Sequence, residues 1–191
     1  MTPEEKLAGE AVKYSMPAIE DYMATRCLLL SGLFVGLTLA HEATEKIMKS
    51  LLIIEKTAFP KSCHDLTTLA ELLIKKDAGR YGFLNKEKKF LERLDKHYGW
   101  RYHDGDITKR SKTKSASELH PVDKLWMLLY ERYLGVLPDR KQSRDLLAVY
   151  LFSPVVKEYT NWPYLLLTDN RAIKNRKEWE RRFLEWFTPK K

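Results

Sequence analysis

Arg101, Tyr102, His103, Asp104 and Asp106 follow Trp100 in one short run, and their types are those that phosphate chemistry uses. A guanidinium can hold and neutralise a phosphate, and an imidazole can move a proton near neutral pH. The aromatic neighbours can stack on bases. The run opens a polar stretch from Arg101 to Ser117 that carries Lys109, Arg110, Lys112 and Lys114 and almost nothing apolar, the pattern of a basic loop. Two roles for Arg101 stay open. It is either a phosphate clamp, or a structural residue that pairs with Asp104 or a helix end and fixes the loop. The net charge of +8 and the pI of about 9.3 favour an anionic partner such as nucleic acid. A solvated, Lys-rich surface gives the same total.

Other constellations are weaker. Cys63 and His64 are adjacent, but neighbouring side chains usually point apart, so His64 is expected to serve a turn or a helix cap. Arg93 and His97 would share a helix face. Glu42 with Lys46, and Glu45 with Lys49, are correctly ordered i,i+4 pairs on a polar helix face that is expected to be solvated. The five His and two Cys show no ligand spacing, so no metal is expected. Neither a Gly-rich phosphate loop nor a nucleophile elbow is present, and no cofactor is expected.

The elements that must position these residues are helical. Hydrophobic residues make up 44% and charged residues 31%, a balance that suits a folded, soluble chain. Thr2-Pro3-Glu4-Glu5 is a helix start with a capping box. That helix is predicted to fade near Ser15-Met16-Pro17 and a second to carry Ile19, Tyr22, Met23, Leu29 and Leu30. Ser31-Gly32 is the turn to a third, antiparallel helix. Its stripe is Leu37, Ala40, Thr44, Ile47, Leu51, Ile54 and Ala58, and Pro60 ends it. Gly36 lets two helices approach closely. Ser62 or Asp65 caps a short helix with Leu66, Leu69, Ala70 and Leu73, closed by Asp77-Ala78-Gly79. Asn85 opens the next, with Phe90, Leu91, Leu94 and Tyr98 inward and Gly99 as its stop. Val122, Leu125, Trp126, Leu129 and Tyr133 mark another, ending near Gly135 and Pro138.

The C-terminal third is more aromatic and more basic. Leu146, Leu147, Tyr150 and Leu151 suggest a short helix stopped by Pro154. Asn161 to Tyr164 form a turn, and Asp169 or Asn170 caps a final helix. There Trp179, Phe183, Trp186 and Phe187 share a face, amid Arg171, Lys174, Arg176, Lys177, Arg181 and Arg182. The chain divides into an N-terminal helix (1–16), a bundle (17–135) and a helical extension packing on it (136–191). The uncharged run Cys27 to Ala40 is shorter than the ~20 residues of a spanning helix and holds Ser31 and Gly32, so no membrane insertion is expected. Cys27, among leucines, is expected to be a buried thiol. Two cysteines make no disulfide framework and the N-terminus is polar. The expected location is therefore cytoplasmic.

From Pro17 to Gly135 the chain resembles the HEPN domain family. Asp21 to Gly32 matches an acidic-apolar start and small-Gly turn. Ala40 through Lys49 matches an Ala-x-x-Glu-Lys-x-x-Lys-type helix. His64, Leu66 and Leu69 match a His-x-Leu turn and Leu-rich helix. Arg101-Tyr102-His103-Asp104 matches an Arg-Tyr-Pro-Asp signature, with His103 in place of Pro. The resemblance implies an all-α, up-and-down antiparallel bundle, a homodimer, that binds RNA or a nucleotide. It also implies a toxin–antitoxin or defence pairing with a nucleotidyltransferase. Some relatives are metal-independent ribonucleases whose signature is Arg, four to six residues, then His. Here the allowed positions after Arg101 are Asp106, Ile107 and Thr108, and His120 is too far from Arg110. The expected function is therefore non-catalytic RNA or nucleotide binding. The alternatives are a metal-independent endoribonuclease built around Arg101 and His103, and a protein-interaction bundle without nucleic acid.

Overall fold

A computed structural model describes residues 2–99, 115–137, 147, 162–173, 177–178 and 181. All regular structure among them is helical. Helix α1 (Pro3–Leu30) is 28 residues long, about 42 Å at 1.5 Å per residue. Thr2 Oγ1 accepts from the Glu5 N–H at 3.1 Å and the Glu5 carboxylate accepts from the Thr2 N–H at 2.7 Å, the expected capping box. The helix does not fade at Ser15; it runs unbroken through Pro17. Proline costs one backbone hydrogen bond and strains the preceding turn. Burial of Ala11, Ala18, Ile19, Tyr22 and Leu29 on one continuous face offsets that cost. The same phase turns Cys27 outward, so its thiol is exposed rather than buried.

Two helix ends close by the same left-handed motif. At the end of α1 Gly32 has φ 82°, with Leu33 N–H donating to Leu28 O at 2.8 Å and Gly32 N–H to Leu29 O at 3.1 Å. Helix α2 (Gly36–Ile54) ends similarly: Lys56 has φ 53°, Thr57 N–H donates to Leu52 O at 2.9 Å and Lys56 N–H to Ile53 O at 3.0 Å. The predicted stripe therefore stops at Ile54, short of Ala58. Gly36 sits where a Cβ would lie 2.9 Å from Leu29 Cγ and 3.0 Å from Thr25 O, so its lack of a side chain sets how closely α1 and α2 pack.

Helices α3 (Leu66–Lys76), α4 (Ala78–Tyr81) and α5 (Leu84–Gly99) follow, α3 capped by Asp65 and α4 by Asp77. A 3₁₀ turn (Ser115–Glu118) leads into α6 (Leu119–Val136). A short helix α7 (Trp162–Leu167) stands where the sequence predicts a turn. Pro163 lies in its first turn, where a missing N–H goes unused. Helix α2 is the hub, touching α1, α3, α5 and α6, and its Leu37, Ile47, Met48, Leu51 and Leu52 are fully covered. Trp126 stacks on Tyr22, ring centres 4.1 Å apart, and on Tyr130 at 5.0 Å, joining α1 to α6. No described helix is long and apolar enough to cross a membrane.

Candidate nucleic-acid site

The residues singled out in the sequence, Arg101, Tyr102, His103, Asp104, Asp106, Lys109, Arg110, Lys112 and Lys114, lie outside the described residues, as do Trp179, Phe183, Trp186 and Phe187. Among the described residues, a polar cluster is built on α2.

Positions 41, 45 and 49 recur every four residues and so share one face of α2. His41 is fully buried. Its Nε2 lies 2.9 Å from Asp95 Oδ1, and the same oxygen accepts from the Leu66 N–H at 3.0 Å. One carboxylate thus joins α2, α3 and α5. The His41 ring stacks on Tyr98 at 4.0 Å with 18° between planes. Its Nδ1 is 3.9 Å from Glu45 Oε2, too long for a hydrogen bond, and is a buried atom with no hydrogen-bond partner among the described residues. Glu45 accepts from Lys49 Nζ at 2.8 Å and is met by His64 Nδ1 at 3.1 Å. Lys49 also donates to Lys61 O at 3.0 Å.

The expectation of a solvated face fails here. The side chains of Lys49 and Glu45 are 4% and 9% exposed, while that of His64 is 56% exposed. Residues 57–65 cover this face, and the Lys61 carbonyl takes the place of water at Lys49. Burial acts to raise the Glu45 pKa, but the hydrogen bonds and charges of Lys49 and His64 outweigh it and hold the carboxyl below its ordinary value. Asp65 is treated likewise: burial acts upward, but hydrogen bonds from Thr67 and Thr68, and the proximity of His41, bring it down. His64 is not the cap; Asp65 is. Nor does His64 meet Cys63, whose Sγ contacts the Asp65 carbonyl at 3.8 Å. Arg93 is held by Glu118 at 2.7 Å and lies over the Phe90 ring. Among the described residues no group of three His, Cys, Asp or Glu could hold a metal ion.

A second buried cluster joins α1 to α6 and to the C-terminal segment. Arg26, fully buried, donates to Asp123, to the Thr168 carbonyl and, through Nε, to Leu165 O at 2.7 Å. Tyr22 OH donates to Asp123 Oδ1 at 2.8 Å and accepts from Asn170 Nδ2 at 3.0 Å. Burial raises the Asp123 pKa by more than the Arg26 and Tyr22 contacts lower it. In the sequence this cluster is marked by nothing more than an arginine at the edge of a long apolar run. Near the far end of α2 a cavity of about 380 Å³ is lined by Gly79, Arg80, Glu131, Arg132, Gly135 and Val136. Arg80 is already bound to Glu55 at 2.5 Å, and Arg132 donates to Arg80 O at 3.1 Å while lying over Phe83.

Gly32 to Pro121 match the family model of the HEPN domain. The match takes in 90 of the 191 residues, just under half of the chain. It takes in the Glu45 cluster and the basic stretch from Arg101 and leaves out Arg26, Asp123 and α7. It is narrower than the Pro17–Gly135 span of the resemblance. No curated protein and no solved structure matches the chain. The HEPN match supports a nucleotide- or RNA-related function in general, and HEPN domains commonly dimerise and bind RNA.

Proposed function

We propose that the protein binds RNA or a nucleotide through its HEPN domain without cleaving it. On this reading it works as a homodimer, within a toxin–antitoxin or defence pair whose other member is a nucleotidyltransferase. The observation that carries the reading is the HEPN match over residues 32–121. The matched stretch contains Arg101, Tyr102, Lys109, Arg110, Lys112 and Lys114, the residues assigned to phosphates and bases. Two facts support a non-catalytic role. The Arg-to-His spacing of the ribonuclease relatives is missing, and His41, inside the domain, is fully buried beside Asp95.

The test is incubation of the purified protein with mixed RNA in excess EDTA, beside Arg101→Ala and His103→Ala, followed by binding measured across a salt series. Intact RNA in every lane, with wild-type affinity falling steeply as salt rises, is the expected result. Chelator-resistant cleavage that both substitutions abolish would replace it with the ribonuclease reading. Absence of binding at any salt would leave a protein-interaction bundle.

A further inference from the structure

We propose that the half-exposed imidazole of His64 is a stacking platform for a nucleobase, with Glu45 as its positioning residue. The inference rests on the nucleic-acid reading above and names the part of the ligand that this corner of the fold takes.

The first argument is how the ring is held. His64 Nδ1 lies 3.1 Å from Glu45 Oε2 and 3.2 Å from Oε1, so the ring is held by donation from Nδ1 to this carboxylate. Glu45 is itself held by Lys49, which is held by the Lys61 carbonyl. The chain of bonds runs from the Lys61 carbonyl through the buried side chains of Lys49 and Glu45 and ends on one exposed ring. Burying an ion pair costs desolvation. Glu45 and Lys49 sit four residues apart on one helix, so their pairing links no two helices. What it does fix is the orientation of His64, and a ring oriented in advance loses less freedom on binding.

The second argument is the stack. The Tyr98 ring lies 4.0 Å from that of His41 and 6.1 Å from that of His64, with 18° and 24° between planes. Three nearly parallel rings run from a fully buried one to one that is 56% exposed. A nucleobase adds a further planar ring at the open end, and histidine is among the side chains on which unstacked bases lie.

Charge also bears on which part of a nucleotide fits this corner. Among the described residues, the carboxylates of Glu45, Asp65 and Asp95 gather at this cluster, beside Lys49 and His64. Nucleobase amino and imino groups are donors, and carboxylates are acceptors. The corner therefore favours a base, and leaves the phosphates to positive charge elsewhere.

The experiment uses the full chain, fluorescently labelled hexaadenylate as the probe, and inorganic polyphosphate as a ligand with charge and no bases. His64→Ala should weaken hexaadenylate binding roughly 5- to 150-fold. Its affinity for polyphosphate and its salt slope should match the wild type. His64→Phe should recover most of the loss, because it restores a ring. Glu45→Gln should fall between. The His64 ring protons of the wild type should shift upfield on addition of hexaadenylate. Wild-type affinity in His64→Ala overturns the inference alone, and so does an equal loss for both ligands. A wild type that binds no RNA at any salt overturns the nucleic-acid reading and takes this inference with it.

Discussion

The Arg26 cluster and the Glu45 cluster both bury charge, and they do it for different ends. Arg26 is matched on every side: Asp123, two main-chain carbonyls and, through Asp123, Tyr22 and Asn170. It is sealed inside three parts of the chain that lie far apart in sequence. The Glu45 cluster is matched only in part. His41 Nδ1 lacks a partner among the described residues, and the outermost group, His64, faces solvent. A closed network fixes a fold; an open one at a surface leaves binding capacity unspent. The two carboxylates also differ in sign, Glu45 being held below its ordinary pKa and Asp123 above.

The largest blow to one side of this contrast is Asp123→Asn. It leaves a buried guanidinium without its counter-ion and should cost about 3–5 kcal/mol in urea unfolding. Replacing both charges, Arg26→Met with Asp123→Leu, should cost less than either single change, since no unpaired charge remains. A double variant worse than both singles would show that the carbonyl contacts of Arg26 dominate.

Gly36→Ala comes next. Its Cβ would press on Leu29 and on the Thr25 carbonyl. A loss of about 1–3 kcal/mol in thermal or urea unfolding is expected. Because Thr25 and Leu29 flank Arg26, the strain should reach the closed cluster and leave RNA affinity unchanged.

Glu45→Gln sharpens the contrast through pH. The native pKa of Glu45 lies below its ordinary value of 4.5, so on acidification the unfolded chain takes the proton first. Its stabilisation is complete above that ordinary value and is lost as pH falls through the lower native one. As the pH falls below the ordinary value of 4.5 the variant should therefore lose stability less steeply than the wild type. Asp123, with its pKa raised, contributes the opposite slope above 3.8. The smallest effect is expected from Lys56→Gly, which relieves a left-handed residue outside both clusters. A gain of up to about 1 kcal/mol in unfolding free energy, with RNA binding unaltered, is the outcome.

Local rules were enough for much of the fold. Thr2, Asp65 and Gly32 do what their side chains, or the lack of one, dictate to the nearest turn. The stripe of α2 declared its buried face. The elements that went astray are those decided at a distance. Pro17 ends a helix by propensity, yet packing on both sides of it keeps α1 whole. Cys27 has apolar neighbours in sequence, but it sits about 100° from Arg26 around the helix, and Arg26 is the residue that points inward. Glu45 with Lys49 has the same spacing whether the face is wet or covered. The covering segment, residues 57–65, has no periodicity to announce it. Arg26 is satisfied chiefly by main-chain carbonyls, which no side-chain pattern encodes. Of the candidate site, His64 was visible as a residue but not as a held ring, because its partner lies 19 positions earlier.

The span of the Arg26 contacts has a bearing on how the molecule is made. Leu165 and Thr168 lie 139 and 142 residues downstream of the arginine they neutralise. A polypeptide emerging from the ribosome therefore carries, until residues 165–168 have been made, a first helix whose inward cation has not met its main-chain acceptors. The bundle can assemble around that helix early, but it gains its seal only when the segment beyond α6 arrives. Loss of residues 165–170 would thus be felt in the first helix.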